Sequence, residues 1–186
     1  MKMIIGLGNP GDKYQHTRHN VAWVLFDNLN KNFDWNFNKY ANSELAHTTI
    51  SNVDVMLVKP QTFMNDSGAV LPYLLKEYSF DPGDIIVVQD EIDLPLGKIK
   101  ISHDRGDGGH NGVKSIMSHL NSREFVRVRV GVSILDDEGV LRKPDVLGNF
   151  SKDEMMSVEK DIALQVGDIL TTIVAEGYGK AMTKYN

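Results

Sequence analysis

Three short polar runs in this chain have the composition of a working site, and each follows or opens an apolar segment. The first extends from Asn9-Pro10-Gly11 through Tyr14 to Arg18-His19-Asn20. The second is Phe63-Met64-Asn65-Asp66-Ser67-Gly68. The third is Gln89-Asp90-Glu91-Ile92-Asp93, with the glycine-rich Asp107-Gly108-Gly109-His110-Asn111-Gly112 behind it. Ligands of open α/β folds bind at the carboxyl ends of strands, where such runs fall. His19 has the chemistry of a general base: a neutral imidazole takes a proton from water once a carboxylate on its other nitrogen fixes the tautomer and stabilises the imidazolium. Asp90, at the exit of a wholly apolar stretch, is the best-placed partner. A lone histidine can equally cap a helix. Against that bland role, many polar groups gathered at one strand end are costly to bury unless they pair.

Other chemistries compete for the same residues. Asp90, Glu91 and Asp93 together can hold a divalent cation, as in metal-dependent phosphoesterases. The six histidines, however, show no paired ligand spacing such as H-x-x-x-H, and Glu91 and Asp93 also fit ordinary loop solvation or capping. Asn65 and Asn111 are amides at the mouths of two helices, able to hold a carbonyl or a water without carrying charge, or to act as N-caps. Met64 is by default a core residue that, beside a cleft, can touch an apolar part of a substrate. Gly6-Leu7-Gly8-Asn9-Pro10-Gly11 matches the dinucleotide fingerprint, but Pro10 and the polar stretch after it delay the helix that should hold the pyrophosphate to about residue 19. Ser157-Val158-Glu159-Lys160 matches S-x-x-K without its companion motifs, and no G-x-S-x-G occurs. Attack by activated water is the simpler proposal.

The elements that must carry these groups alternate between strand and helix. Residues 2–7 form a short buried strand. Val21, Val24, Leu25 and Leu29 recur at helical spacing, ending in the stretch Asn28 to Asn32. Leu45 to Ile50 and Val53 to Val58 read as a hairpin turning at Ser51-Asn52. Val70, Leu71, Leu74, Leu75 and Tyr78 mark a second helix, with Pro72 in its first turn or kinking it. Ile85 to Val88 is a central strand that the carboxylates follow, and Val113, Ile116, Met117 and Leu120 stripe a third helix. Val126 to Val132 alternates with Arg127 and Arg129, placing guanidinium groups on one face. Ser151 and Glu154 form a capping box ahead of Val158, Ile162, Val166, Ile169, Leu170 and Ile173, and Gly177 supplies the stop. The order βαββαββαβα predicts one three-layer α/β/α domain over residues 1–186, with a mixed, mostly parallel central sheet.

Composition narrows the classes. The chain has 186 residues, 41% of them hydrophobic, no cysteine and a formal charge of −5. That length supports a core without disulfides. The missing cysteines exclude thiol nucleophiles, zinc-cysteine sites and iron-sulfur clusters, and leave the cytoplasm as the expected compartment. The apolar start of MKMIIGLGNPG is too short for a signal-peptide core or a membrane span. From Gly97 to Arg129, however, Lys98, Lys100, Arg105, Lys114, Arg123, Arg127 and Arg129 stand against Asp104, Asp107 and Glu124. This basic segment in an acidic chain surrounds the glycine loop and the start of the third helix, where free N–H groups also attract phosphate. A solvated charged face is the plainer account of the same residues.

Taken together, the motifs resemble bacterial peptidyl-tRNA hydrolase nearly end to end. The resemblance rests on Gly6 to Gly11 with Tyr14, Thr17-Arg18-His19-Asn20, Lys59 to Gly68, Asp90-Glu91-Ile92-Asp93-Leu94-Pro95 with Gly97, Gly108 to Gly112, Arg127 to Gly131, and Ala181-Met182 with Tyr185-Asn186. It implies hydrolysis of the ester between a peptide's C-terminal carbonyl and the 3′-terminal ribose of tRNA, which frees the tRNA after aborted translation. It also implies a cytoplasmic monomer with no cofactor, no metal and no membrane partner, acting on the acceptor end and 3′ CCA of the tRNA and on the nascent peptide. By the resemblance, His19 is the base and Asp90, rather than Glu91 or Asp93, its orienting acid. Asn9, Asn65 and Asn111 place peptide backbone and attacking water, and Tyr14, Met64, Asn65, Gly109, His110 and Asn111 bind substrate. Arg129 joins Lys100, Arg105 and Lys114 of the basic segment as a tRNA contact. Ser102-His103-Asp104-Arg105-Gly106-Asp107 departs from the family's more basic, more glycine-rich loop. A tRNA-binding module of the same fold without turnover is the rival class.

Overall fold

The computed structural model describes residues 1–31 and 33–186. Among the described residues, eight strands form one mixed sheet: β1 (Lys2–Gly6), β2 (Asn36–Asn38), β3 (Ser43–Ile50), β4 (Val53–Pro60), β5 (Ile85–Pro95), β6 (Ile99–His103), β7 (Val126–Leu135) and β8 (Leu141–Arg142). Their spatial order is β2-β3-β4-β1-β5-β7-β6, with β8 paired to β7. Parallel pairing is confined to the four central strands β4, β1, β5 and β7. The outer strands run antiparallel to their neighbours. Ser51 and Asn52 turn the β3–β4 hairpin with φ of 50° and 64°, as a two-residue loop of the I′ kind requires.

Helices α1 (Val21–Leu29), α2 (Leu71–Tyr78), α3 (Asn111–Leu120), α4 (Lys152–Ser157), α5 (Ala163–Glu176) and α6 (Tyr178–Tyr185) cover both faces. Side chains of β1 alternate between two cores. Ile4 joins Val88, Val128, Leu25, Val166 and Ile169 beneath α1 and α5. Met3 and Ile5 join Val87, Leu71, Leu74 and Ile116 beneath α2 and α3. A strand buried on both faces reads as a continuous apolar run, which is why the sheet is sandwiched between helices. Pro72 lies at the start of α2, where its missing N–H has no partner to lose.

The structure modifies the sequence reading in several places. β5 does not end at Val88 but continues to Pro95, because β7 keeps pairing with it as far as Ser133. Asp90, Glu91 and Asp93 therefore sit on the strand's projecting end instead of in a loop after it. The expected end of α1 falls at Leu29, and Asn32 lies outside the described residues. The predicted final helix is a rod of α4 and α5 joined through a π-helical turn at Val158–Ile162. β2, β8 and α6 are additions to the predicted order. Helix α6 ends on the edge strand β6, where the Asn186 side chain accepts from Ile101 N–H at 2.7 Å and donates to Ile101 C=O at 2.9 Å. This satisfies backbone groups that an exposed edge would offer to another chain.

Candidate active site

The chain leaves β1 at Gly6 and reaches α1 through two short 3-10 turns, Asp12–Tyr14 and Arg18–Asn20. Gly6 and Gly8 of the first motif serve packing. A Cβ at Gly8 would lie 2.7 Å from the Trp23 indole, and Trp23 Nε1–H donates to Gly6 C=O at 2.8 Å. Close approach of α1 to β1, not phosphate binding, is what these positions require. Asn9 and Asn20 then lock the turn: Asn9 N–H donates to Asn20 Oδ1 and Asn20 Nδ2 donates to Asn9 C=O, both at 2.9 Å. Asn9 Oδ1 accepts from Met64 N–H at 2.8 Å, which ties this turn to the second motif and leaves the amide Nδ2 as its donor.

His19 and Asp90 meet. His19 Nδ1 lies 2.8 Å from Asp90 Oδ1, and His110 Nε2 lies 2.9 Å from the same oxygen. Asp90 is 2% exposed. Burial alone would raise its pKa, but the charges and hydrogen bonds of His110 and then His19 overcome this and hold it at about 2. Asp90 is therefore a carboxylate at any ordinary pH. His110 is the N-cap of α3, and its Nδ1 accepts from Gly112 N–H and Val113 N–H at 3.2 and 3.4 Å. A backbone N–H only donates, so Nδ1 of His110 carries no proton and Nε2–H donates to Asp90. Asp90 in turn draws the proton of neutral His19 onto Nδ1, leaving His19 Nε2 with its lone pair. Of the two imidazoles, only His19 can accept a proton without breaking the cap of α3.

Those hydrogen-bond polarities also bear on metal binding. One ligand atom each from His19, Asp90 and His110 lies within 4.8 Å of the others. A cation taking His110 Nε2 would force the ring proton onto Nδ1, against the two amide donors of α3, so this donor set does not fit a metal. The trio Asp90, Glu91 and Asp93 is not gathered either. Glu91 accepts from Arg129 Nε at 2.8 Å, and Asp93 pairs with Lys143.

His19, Asp90, Glu91, Ile92, Gly108, Gly109, His110, Asn111 and Val146 line a crevice of about 160 Å³. A neighbouring groove of about 320 Å³ runs past Asn65, Asp66, Asn111, Lys114 and Ser118. Asn111, the first residue of α3, belongs to both, whereas Asn65, on the 3-10 segment Met64–Val70, belongs to the groove. Neither is the helix cap that its position suggested. The Asn65 segment lies against α3 because Gly68 has no side chain: a Cβ there would stand 2.3 Å from Ser115 C=O. Tyr14 is half-buried and meets exposed Phe63 edge-on at 6.3 Å. Met64 is 4% exposed in the core under α2 and α3, so its side chain does not line the crevice.

The basic segment divides into two kinds of cation. Arg127 is buried, donates to Asp107 C=O at 3.4 Å and has its pKa lowered by burial and by nearby Arg129. Arg129 is paired to Glu91 and Arg123 to Asp104. Lys98, Lys100, Arg105 and Lys114 are exposed and, among the described residues, pair with no carboxylate. Lys100 stands directly opposite Arg129 across β6 and β7. The added acids of the departing loop have local uses: Asp104 holds Arg123, and Asp107 Oδ1 accepts from Gly109 N–H at 2.7 Å, shaping the loop before α3.

Sequence reasoning missed the second grip on Asp90. His110 was expected to touch substrate, yet its ring is fully engaged by Asp90 and the start of α3. The available signal was a histidine at the N-cap position, between a glycine pair and the Val113–Ile116 stripe. It also missed the role of Asn20 in locking Asn9, and the salt bridge from Arg18 to Glu154, 136 residues apart.

The family model for peptidyl-tRNA hydrolase matches residues 3–186. The chain is 39% identical to the peptidyl-tRNA hydrolase of Pediococcus pentosaceus, covering all of both chains. It is 42% identical to that of Thermotoga petrophila, over 99% of this chain and 96% of the relative. The crystal structure of peptidyl-tRNA hydrolase from Acinetobacter baumannii superposes with a TM-score of 0.83 at 29% identity, over 100% of this chain and 94% of that one. With fold, family model and full-length relatives in agreement, the chain belongs to the peptidyl-tRNA hydrolase family.

Proposed function

We propose that this protein hydrolyses the ester joining a peptide, or another N-blocked aminoacyl group, to the 3′-terminal ribose of tRNA, returning the tRNA to translation. The observation that carries this reading is the polarised chain His110 to Asp90 to His19, which leaves one basic imidazole nitrogen beside a crevice whose neighbouring groove is lined by exposed Lys114. His19 Nε2 removes a proton from water as the water oxygen bonds to the ester carbonyl carbon. Asp90 stabilises the resulting imidazolium, and an asparagine amide donates to the carbonyl oxygen as it becomes an oxyanion. The bond from that carbon to the ribose 3′ oxygen then breaks, and the imidazolium returns its proton to the leaving oxygen. The products are a free peptide carboxylate and an intact tRNA.

Lys100, Arg105, Lys114 and Arg129 hold phosphates of the acceptor end and the 3′ CCA, while Tyr14, Gly109 and Asn111 bound the peptide. No metal or other cofactor enters these steps. The protein acts in the cytoplasm as a monomer of one domain, and among the described residues no helix is long and apolar enough to cross a membrane.

The test is cleavage of a peptidyl-tRNA in the presence and absence of EDTA, beside a His19→Ala protein. The parent protein should cleave equally well in both buffers. The variant should lose about 10²- to 10⁴-fold in kcat, the usual share of a general base, while still binding tRNA. Near-parental turnover by the variant would make the base assignment wrong. Binding without turnover by the parent would make the protein a tRNA-binding module.

A further inference from the structure

Arg18 is a buried charge that the hydrolytic steps do not use. It occupies the 3-10 turn that carries His19, and its side chain is only 6% exposed. Nη2 donates to both oxygens of Glu154 at 2.8 Å, Nη1 donates to Val132 C=O on β7 at 2.9 Å, and the guanidinium lies 4.9 Å from the centre of the Phe150 ring. One side chain thus joins the sheet, α4 and the turn bearing the base. Glu154 is committed at the same point, since its Oε2 also accepts from Ser151 N–H at 2.7 Å in the capping box of α4. Burial would raise the Glu154 pKa, but the Arg18 hydrogen bond, the Ser151 N–H and the Arg18 charge lower it on balance.

The backbone repeats the connection. Arg18 N–H donates to Gly148 C=O at 3.0 Å, His19 N–H to Val146 C=O at 2.9 Å, and Phe150 N–H to His16 C=O at 3.0 Å. Residues 16–19 and 146–150 therefore form a short ladder, clamped at one end by the Arg18–Glu154 pair. Val146, bonded to His19 in this ladder, also lines the crevice. The alternative hydrogen-bonding partners of a guanidinium at this depth are few, so the pair fixes where the ladder, and the imidazole on it, stands.

We propose that Arg18 and Glu154 are positioning residues: their ion pair, with Nη2 on both Glu154 oxygens while Nη1 holds Val132 C=O, reaches from α4 to the catalytic turn and holds His19 in register with Asp90. This rests on the reading of His19 as the base. A displacement of about 1 Å at a reacting group can cost up to ~10²-fold in rate, so the pair acts on kcat without touching substrate.

The experiment compares Glu154→Gln, Arg18→Lys, Ser151→Ala and His19→Ala, assayed on peptidyl-tRNA well below each protein's thermal midpoint. Glutamine still serves a capping box but presents Arg18 with no charge and one acceptor oxygen. Lysine keeps the charge but cannot form the fork. Both should lower kcat about tenfold or more with KM little changed. Both should also broaden the downfield proton resonance of His19 Nδ1–H, assigned by its loss in His19→Ala. Ser151→Ala removes the N-cap of the same helix and leaves the pair intact, so it should lower the thermal midpoint while keeping parental kcat and resonance. Parental kcat and a sharp resonance in Glu154→Gln overturn the proposal. So does a fall in kcat for Ser151→Ala as large as that for Glu154→Gln, because helix placement would then be the cause. If Glu154→Gln does not fold, Arg18→Lys carries the same test. A fully active His19→Ala overturns the base itself, whereas an inactive His19→Ala beside a fully active Glu154→Gln overturns only the positioning pair.

Discussion

The crevice and the exposed cations of the basic segment, the proposed tRNA rim, are built differently. In the crevice, Asp90 is 2% exposed and accepts from two imidazoles, one of them locked by the amides of α3. On the rim, Lys100, Arg105 and Lys114 are exposed and, among the described residues, end without a carboxylate partner. Arg129 stands between the two, paired to Glu91. Buried, mutually hydrogen-bonded charges keep one geometry and act at full strength in a low dielectric. Exposed lysines and arginines are screened by salt and rearrange at small cost. Changes in the crevice should therefore appear in kcat and in the pH dependence, and changes on the rim in KM and in the salt dependence.

Asp90→Asn should break the contrast most severely. An amide cannot stabilise the imidazolium, and its NH₂ can face His19 Nδ1 and force the opposite tautomer, so kcat should fall about 10²- to 10⁴-fold with KM little changed. Stability supplies an independent reading. The pKa of Asp90 is lowered from the ordinary 3.8 to about 2 in the folded protein. Its charge therefore contributes stability above pH 3.8, and that contribution is lost as the pH falls to about 2. Thermal midpoints of the parent should drop across this window more steeply than those of Asp90→Asn. Equal slopes would mean that Asp90 is not held ionised by the two histidines.

A second comparison separates the two asparagines. Asn111 shares the crevice with His19, whereas Asn65 lines only the adjoining groove. Asn111→Ala should lose about 10²-fold in kcat, the cost of one oxyanion donor, and Asn65→Ala should act mainly on KM. A larger kcat loss for Asn65→Ala would transfer the oxyanion role to the groove.

The smallest effects belong to the rim. Lys100→Ala, Arg105→Ala and Lys114→Ala should each raise KM several-fold with kcat nearly unchanged, and lower the slope of log affinity against log salt by about 0.7 to 0.9 per lost phosphate contact. Arg129→Ala should change that slope less than Lys100→Ala, because Arg129 is already neutralised by Glu91. Identical slopes for all four variants and the parent would place the tRNA elsewhere.

Much of the molecule was legible in the residue order. The apolar runs of β1 and β5, the stripe from Val158 to Ile173 with its Ser151–Glu154 cap, and the hairpin turn at Ser51-Asn52 follow local rules of periodicity, capping and turn chemistry, which need no knowledge of distant residues. His19 stood out because polar groups gathered at one strand end are costly to bury unless they pair, and the family resemblance chose Asp90 over Glu91 and Asp93. Less was legible wherever a residue's role is set by a partner far along the chain. The reach of β5 to Pro95 depends on β7, and the edge of β6 depends on Asn186.

What the sequence determined by itself was the main strands and helices and the types of group available for chemistry, because hydrophobic period and side-chain functionality are local properties. The tertiary structure alone decided which imidazole is free. His19 and His110 are the same residue type, and both reach Asp90. Two backbone amides at the start of α3 hold His110 to one tautomer, and that restriction comes from where the helix begins in space, not from the identity of the histidine.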